Sequence, residues 1–100
     1  MSQPADDARS LTIAEFMDHL RRHGLEFGYL DPVEYGESAR QTIRDGIRFT
    51  FRHESGDDRV GYFNPANDHF TSLSDDESVI FTHFITNETY VRSRQSSTYP

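Results

Sequence analysis

Residues 47–54 have the sequence IRFTFRHE, and this stretch decides the fold class. Its apolar and polar side chains alternate with a period of two, which is the pattern of a half-buried β-strand. The residues before Gly46 follow the 3.6-residue period of helices instead. The sequence therefore predicts a change from helical to extended structure at Gly46.

Three further strands are predicted downstream of this stretch. They are rich in aromatic and β-branched residues, and they span residues 59–64, 69–73 and 78–86. The segments between them are short and rich in Ser, Gly, Pro, Asn and Asp, which is typical of turns. Short turns join antiparallel neighbours, so we expect a four-stranded antiparallel meander.

Two helices are predicted upstream of the sheet. Thr12 and Glu15 form a capping box at the start of a helix over 13–23. The Asp-Pro pair at 31–32 begins a second helix, which runs to about Asp45. We therefore predict an α+β fold, with two N-terminal helices packed on one face of the sheet and the other face open.

The length fits one domain. Of its 100 residues, we expect 10–92 to form a single α+β domain between a flexible lead-in over 1–9 and a flexible tail over 93–100. There is no cysteine, no apolar stretch long enough to span a bilayer and no secretory leader pattern. These features favour a cytoplasmic protein without membrane insertion.

The charge of the chain is strongly acidic. Seventeen acids face ten bases, all of them arginine, and the net charge is −7. Such a chain is a poor binder of long duplex DNA, because neutralisation of phosphates supplies most of that affinity. Residues 79–100 depart from this balance, since they carry two arginines against one acid.

Two histidines of the predicted strands are candidates for proton transfer. If Glu54 pairs with Arg59 and the meander continues through short turns, His69 lies opposite His83. Imidazoles titrate near neutral pH, so two of them side by side form a candidate general acid and base. The alternative is that both are partly buried sheet residues with ordinary hydrogen bonds.

The open face is predicted to carry a second set of residues. In the same register Thr50, Arg52 and Phe63 share that face, and Arg48 points the same way as Arg52. This set is a candidate docking surface for a phosphate or a carboxylate. The alternative is that the two arginines simply pair with nearby acids.

The arginines of the C-terminal segment also allow two interpretations. Arg92 and Arg94 lie among serines, Thr98 and Tyr99, so they form either a phosphate-contacting end or part of a mobile tail. No metal or cofactor site is predicted. His19 and His23 lack the context of a metal motif, and residues 75–77 lack the spaced ligands of a calcium loop.

Three stretches carry a resemblance to a known family. They are VGYFNPANDHFTSL at 60–73, VIFTHF at 79–84 and YVR at 90–92. Together they resemble the small bacterial toxin domains that share the RNase fold of barnase, EndoU, colicin D and RelE. The resemblance covers the C-terminal half of the chain.

This resemblance implies metal-independent cleavage of RNA, in which a ribose 2′-hydroxyl attacks the adjacent phosphate. The matching positions are His83 as base or acid, Thr82 as a hydroxyl that contacts phosphate and Arg92 as the cation, with Tyr90 nearby. His69 joins them as the second histidine. Such toxins are usually basic, and here this chain departs from them.

The alternative function is a non-catalytic acidic module that binds a protein partner through the open sheet face. Convergence of His83, Thr82 and an arginine on one concave site would favour the enzyme. Burial of His83 under the first helix would not.

Overall fold

The computed structural model describes residues 9–10 and 32–100. The elements, in chain order, are β1 (Arg9–Ser10), α1 (Pro32–Asp45), β2 (Ile47–Arg52), β3 (Asp58–Asn64), β4 (His69–Ser74), β5 (Val79–Ile85) and α2 (Glu88–Ser93). The predicted helix over 13–23 lies outside the described residues. No helix in the described part of the chain is long and apolar enough to cross a membrane.

The sheet confirms the predicted antiparallel meander and adds one strand to it. Its order is β1-β5-β4-β3-β2, and the strands from β2 to β5 pair antiparallel with their chain neighbours. β1 pairs parallel with β5 through Arg9 and Ser10, which the sequence did not predict. The α+β class is therefore confirmed.

The helix α1 ends where the sequence predicted. It begins at Pro32, and Gly46 follows its last residue and donates a 2.7 Å hydrogen bond to the Thr42 carbonyl. A Cβ at Gly46 would lie 2.5 Å from that carbonyl oxygen. Only glycine therefore fits this close passage from α1 into β2.

One sheet face, here called the α1 face, packs against α1. Ile43 of the helix forms a core cluster with four buried strand residues, Val60, Tyr62, Leu73 and Ile80. Each of these residues is at most 5% exposed. Burial of apolar area in this cluster stabilises the contact between helix and sheet.

The opposite face, here called the aromatic face, is covered as well. Phe49, Phe51, Phe63 and Phe70 form its core, and Val91 of α2 packs on them with no exposed area. The expectation of an open face is therefore wrong. The two described helices also lie on opposite faces of the sheet. α2 brings Tyr90 and Val91 onto the aromatic face, which is too apolar to remain in water.

The segment after α2 covers the edge of β2. Arg52 donates its backbone N–H to the Gln95 carbonyl at 2.7 Å, and Thr98 donates to the Thr50 carbonyl at 2.9 Å. The Thr98 hydroxyl also accepts from the Thr50 backbone N–H at 2.8 Å. These bonds occupy backbone groups that an edge strand would otherwise present to another chain.

The register between β2 and β3 differs from the predicted one. Arg59 pairs with Phe51 and not with Glu54, a shift of three residues. The cause is the loop: His53 donates to the Asp57 carbonyl, and Gly56 adopts a φ of 93°. This geometry belongs to a three-residue hairpin loop that closes on a left-handed glycine.

The register between β4 and β5 also differs. His83 pairs with Thr71, and His69 pairs with Ile85, so the predicted pairing of the two histidines is wrong. A β-bulge between Ser72 and Leu73 leaves Phe81 as the extra residue of β5. The sequence carries no signal for this bulge.

The loop geometry gives a first prediction. A Cβ at Gly56 would meet nothing within 4 Å, so the cost of Gly56→Ala arises from the positive φ alone. We expect Gly56→Ala to lower the free energy of unfolding by about 1 kcal/mol in urea denaturation. Gly56→Asn is the matched control and should lose less, because asparagine tolerates this region. Equal losses in both variants would contradict the assigned loop.

Candidate functional site

His83 is buried between α1 and the sheet. His83 is 1% exposed. Its Nδ1 lies 2.8 Å from the Thr71 hydroxyl and 3.2 Å from the Phe70 carbonyl oxygen. A carbonyl only accepts, so Nδ1 carries the proton. In the neutral imidazole, Nε2 then accepts from the Ser38 hydroxyl at 2.9 Å.

A second contact fixes the backbone of the same residue. The Tyr35 hydroxyl of α1 donates to the His83 carbonyl, and the two rings lie 5.3 Å apart. Tyr35 and His83 are both buried. These bonds make His83 the polar link between α1 and the two strands β4 and β5.

His69 lies beside His83 despite the different register. The two ring centroids are 5.6 Å apart and the rings are nearly perpendicular. Burial lowers the pKa of His69, and the carboxylate of Asp68 only partly opposes this effect. The predicted proximity therefore exists, but both rings lie on the α1 face, where His83 is enclosed by polar groups of the protein.

Thr82 lies on the other side of the sheet. It pairs with Ser72, on the aromatic face, whereas its neighbour His83 points towards α1. Adjacent strand residues point to opposite faces. The structure therefore does not bring together His83 and Thr82 in one site.

The helix α2 positions Tyr90 and Arg92. Asn87 caps the helix, since its side chain accepts from the Tyr90 backbone N–H at 2.9 Å. The guanidinium of Arg92 lies 4.9 Å from the centre of the Tyr99 ring and 3.4 Å from the Glu88 carboxylate. Both members of that ion pair are about half exposed, so the pair contributes little stability.

Two further arginines stack on aromatic rings on this side of the molecule. Arg94 lies 4.0 Å above the centre of the Tyr90 ring, and Arg59 lies 4.1 Å from the centre of the Phe81 ring. We name the six residues of the three stacks the arginine–aromatic surface: Arg59, Phe81, Tyr90, Arg92, Arg94 and Tyr99. Thr82 is on the same face of the sheet.

Sequence reasoning missed half of this surface. From the sequence, Arg59 is predicted to pair with Glu54, and Phe81 lies within the apolar strand predicted over 78–86. Tyr99 was placed in the tail, yet its ring packs edge-on against Phe49 at 5.4 Å and Phe63 at 5.8 Å. The sequence signal that could have identified this contact is Tyr99 itself, an aromatic residue at the end of a polar segment.

The four predicted binding residues do not form one open surface. Phe63 is fully buried in the core of the aromatic face, on the opposite side from Thr50 and Arg52. Thr50 is engaged by Thr98. Arg52 contacts the Asp58 carboxylate through two nitrogens, at 3.1 and 3.2 Å. The register is shifted by three residues, an odd number, and such a shift separates Phe63 from the face that carries Thr50 and Arg52.

Arg48 belongs to a small ionic network. Its Nε lies 3.4 Å from the Glu77 carboxylate, and the same carboxylate accepts a hydrogen bond from the buried Tyr62 hydroxyl. Burial and this carboxylate both raise the pKa of Tyr62. The alternative of paired surface arginines therefore describes Arg48 and Arg52 better than an empty docking site does.

A cleft of about 240 Å³ lies near the edge of β2, and it is lined by Thr50, Phe51, Asp58, Asp75 and Ser96. None of the predicted catalytic residues lines it. Its two carboxylates make it unsuitable for an anion. Across residues 32–100 and the short strand β1, no group of three or more His, Cys, Asp or Glu side chains could hold a metal ion.

Comparison of the chain with models of known protein families found no match, and no curated protein is recognisably similar in sequence.

The buried network gives a second prediction. Ser38→Ala removes the donor to His83 Nε2, so we expect a loss of about 1–3 kcal/mol in the free energy of unfolding. Glu37→Ala is the matched control, because Glu37 is the exposed neighbour on α1. Urea denaturation measures both variants. A Ser38→Ala protein as stable as the control would contradict the role of this bond.

The shifted pKa of His69 gives a third prediction. Because its pKa is lowered on folding, the unfolded chain binds more protons between that lowered value and about pH 6.5. Stability should therefore be complete above this window and fall as the pH decreases through it. We expect His69→Gln to reduce that dependence in denaturation curves recorded across the window. His53→Gln, in the β2–β3 loop, is the control, and an unchanged slope in His69→Gln would contradict the assignment.

Proposed function

We propose that this chain binds single-stranded RNA on the arginine–aromatic surface. The observation that carries this proposal is the stacking of three guanidinium groups on three aromatic rings, on one side of the sheet. The proposal also agrees with the function class implied by the family resemblance.

The chemistry of single-stranded RNA matches this surface. Unpaired bases stack on aromatic side chains and on the planes of arginine side chains, and phosphates accept paired hydrogen bonds from the guanidinium group. Tyr90 and Tyr99 are partly exposed, and each carries an arginine over its ring, so a base would stack on the outer side of the guanidinium plane. Arg92 and Arg94 supply cations beside them.

The acidic net charge does not oppose binding at the α2 end of this surface, because many of the acids lie at the other end of the sheet, beside Arg59. Six of them lie in or beside the β2–β3 and β4–β5 loops, which share one end of the sheet: Glu54, Asp57, Asp58, Asp75, Asp76 and Glu77. α2 follows the other end of β5. Its segment, residues 79–100, has two arginines against one acid.

We propose RNA binding by this surface and assign no residue of it as a general base. A ribonuclease that uses His83 and Thr82 together, as the resemblance implies, is not supported by their placement on opposite faces. If the bound strand is cleaved, the groups on this surface that can stabilise charge on the phosphate are the arginines. Cleavage would then depend on Arg92 in preference to His83.

Fluorescence anisotropy with a short labelled single-stranded RNA tests this function. We expect saturable binding that weakens as salt rises from about 50 to about 200 mM, because phosphate contacts release counterions. The double variant Arg92→Ala/Arg94→Ala should weaken binding by about tenfold. The control Arg40→Ala/Arg44→Ala changes the net charge equally, but on α1.

Three outcomes would overturn the proposal. They are absence of binding at the lower salt, equal loss in the two double variants, and cleavage of transfer RNA in EDTA that persists without Arg92 and Arg94. Absence of RNA binding together with capture of a basic protein would favour the alternative, an acidic module that binds a protein partner.

A further inference from the structure

Arg59 is an unusually enclosed cation on the aromatic face. It lies on β3, its side chain is 15% exposed, and it pairs across the sheet with Ser74 of β4. Its guanidinium stacks on the Phe81 ring. A stacked guanidinium is held in one plane, and its N–H groups point outward in that plane.

The pairing of Arg59 is incomplete. Within the described part of the chain, its buried Nε has no hydrogen-bond partner. Its ion-pair partner among the described residues is Asp57, whose carboxylate lies 4.0 Å away and is 71% exposed. Burial accordingly lowers the pKa of Arg59, although an arginine remains charged at neutral pH. A buried charge without a close counterion is costly, and enclosed arginines are normally paired.

The surroundings of Arg59 are built by the β-bulge. The extra residue in β5 is Phe81, which supplies the stacking ring, and bulges re-aim side chains in this way. The hydroxyl residues Ser72 and Thr82 pair across the same face, and Ser72 is the diagonal neighbour of Arg59 on β4. The bulge therefore places one cation and two hydroxyl residues on one part of the aromatic face.

We propose that Arg59 is the principal cation of a phosphate-binding site, with Ser72 and Thr82 as hydroxyl residues of the same site. A phosphate would supply a negative charge closer to Arg59 than the Asp57 carboxylate at 4.0 Å. Its oxygens would accept from the two outer nitrogens of the guanidinium, which is a paired geometry that arginine offers to phosphate. As a subsite for the RNA backbone the assignment rests on the proposed function, but binding of free phosphate can be tested separately.

Titration of the full-length chain with inorganic phosphate, at constant ionic strength, tests the site. The Nε–H signals of the arginine side chains are followed by NMR, and that of Arg59 is identified by its loss in Arg59→Lys. We expect this signal to shift saturably, whereas the signal of Arg44, which is exposed on α1, stays in place. The backbone amide spectrum shows whether each variant is folded.

Two variants sharpen this test, with phosphate affinity measured from backbone amide shifts on β3 and β5. Arg59→Lys keeps the charge but loses the planar pair of donors, so we expect it to bind phosphate at least about tenfold more weakly. Asp57→Asn removes the nearest competing carboxylate, so we expect it to bind phosphate more tightly than the unmodified chain.

The phosphate site is overturned if the Arg59 signal moves linearly without saturation, if Arg44 moves equally, or if Arg59→Lys retains full affinity. Loss of phosphate binding in Arg59→Lys with unchanged RNA affinity would overturn its role as a subsite for the RNA backbone. Saturable phosphate binding by a chain that does not bind RNA would overturn the proposed function and support the phosphate site.

Discussion

The imidazole of His83 is the contact on which the arrangement of this molecule depends. It accepts from Ser38 of α1 through one nitrogen, and through the other it contacts Thr71 and the Phe70 carbonyl of β4. A buried polar group is stable only when its hydrogen bonds are made, so helix and strands must keep this one relative position. The Tyr35 hydroxyl adds a bond to the His83 backbone.

This constraint decides which polar groups of β5 lie on the α1 face and which lie on the aromatic face. With His83 directed to α1, strand alternation directs Thr82 to the aromatic face. The same face receives α2, which brings Arg92 and Arg94 onto aromatic rings. The histidines therefore hold the fold together on one side, while the stacked arginines lie on the other.

Local signals in the sequence predicted α1 and the strands β2–β5, but neither β1 nor α2. The Asp-Pro start and Gly46 fixed both ends of α1, and the period of two after Gly46 predicted the strands β2–β5.

The predicted strand registers were wrong because register depends on loop conformation. The three hairpin loops each contain a residue with positive φ, Gly56, Asp68 and Glu77, and only the glycine can be recognised in advance. The bulge at Phe81 and the cover over the aromatic face are tertiary effects that no local pattern encodes. For the candidate site, the approach of His69 to His83 was foreseen. The separation of His83 from Thr82 could also have been foreseen, because adjacent residues of one strand point to opposite faces. The position of Arg92 depends on the packing of α2, which the sequence did not predict.

The tautomer of His83 tests the division of roles between the two faces most directly. Long-range ¹H–¹⁵N correlation spectra of the folded protein at neutral pH distinguish a proton on Nδ1 from one on Nε2. We expect a single neutral form with the proton on Nδ1, because the Phe70 carbonyl requires a donor there. A proton on Nε2, or averaging between the two forms as in a solvated imidazole, would contradict the buried structural role of His83 and return it to the list of catalytic candidates.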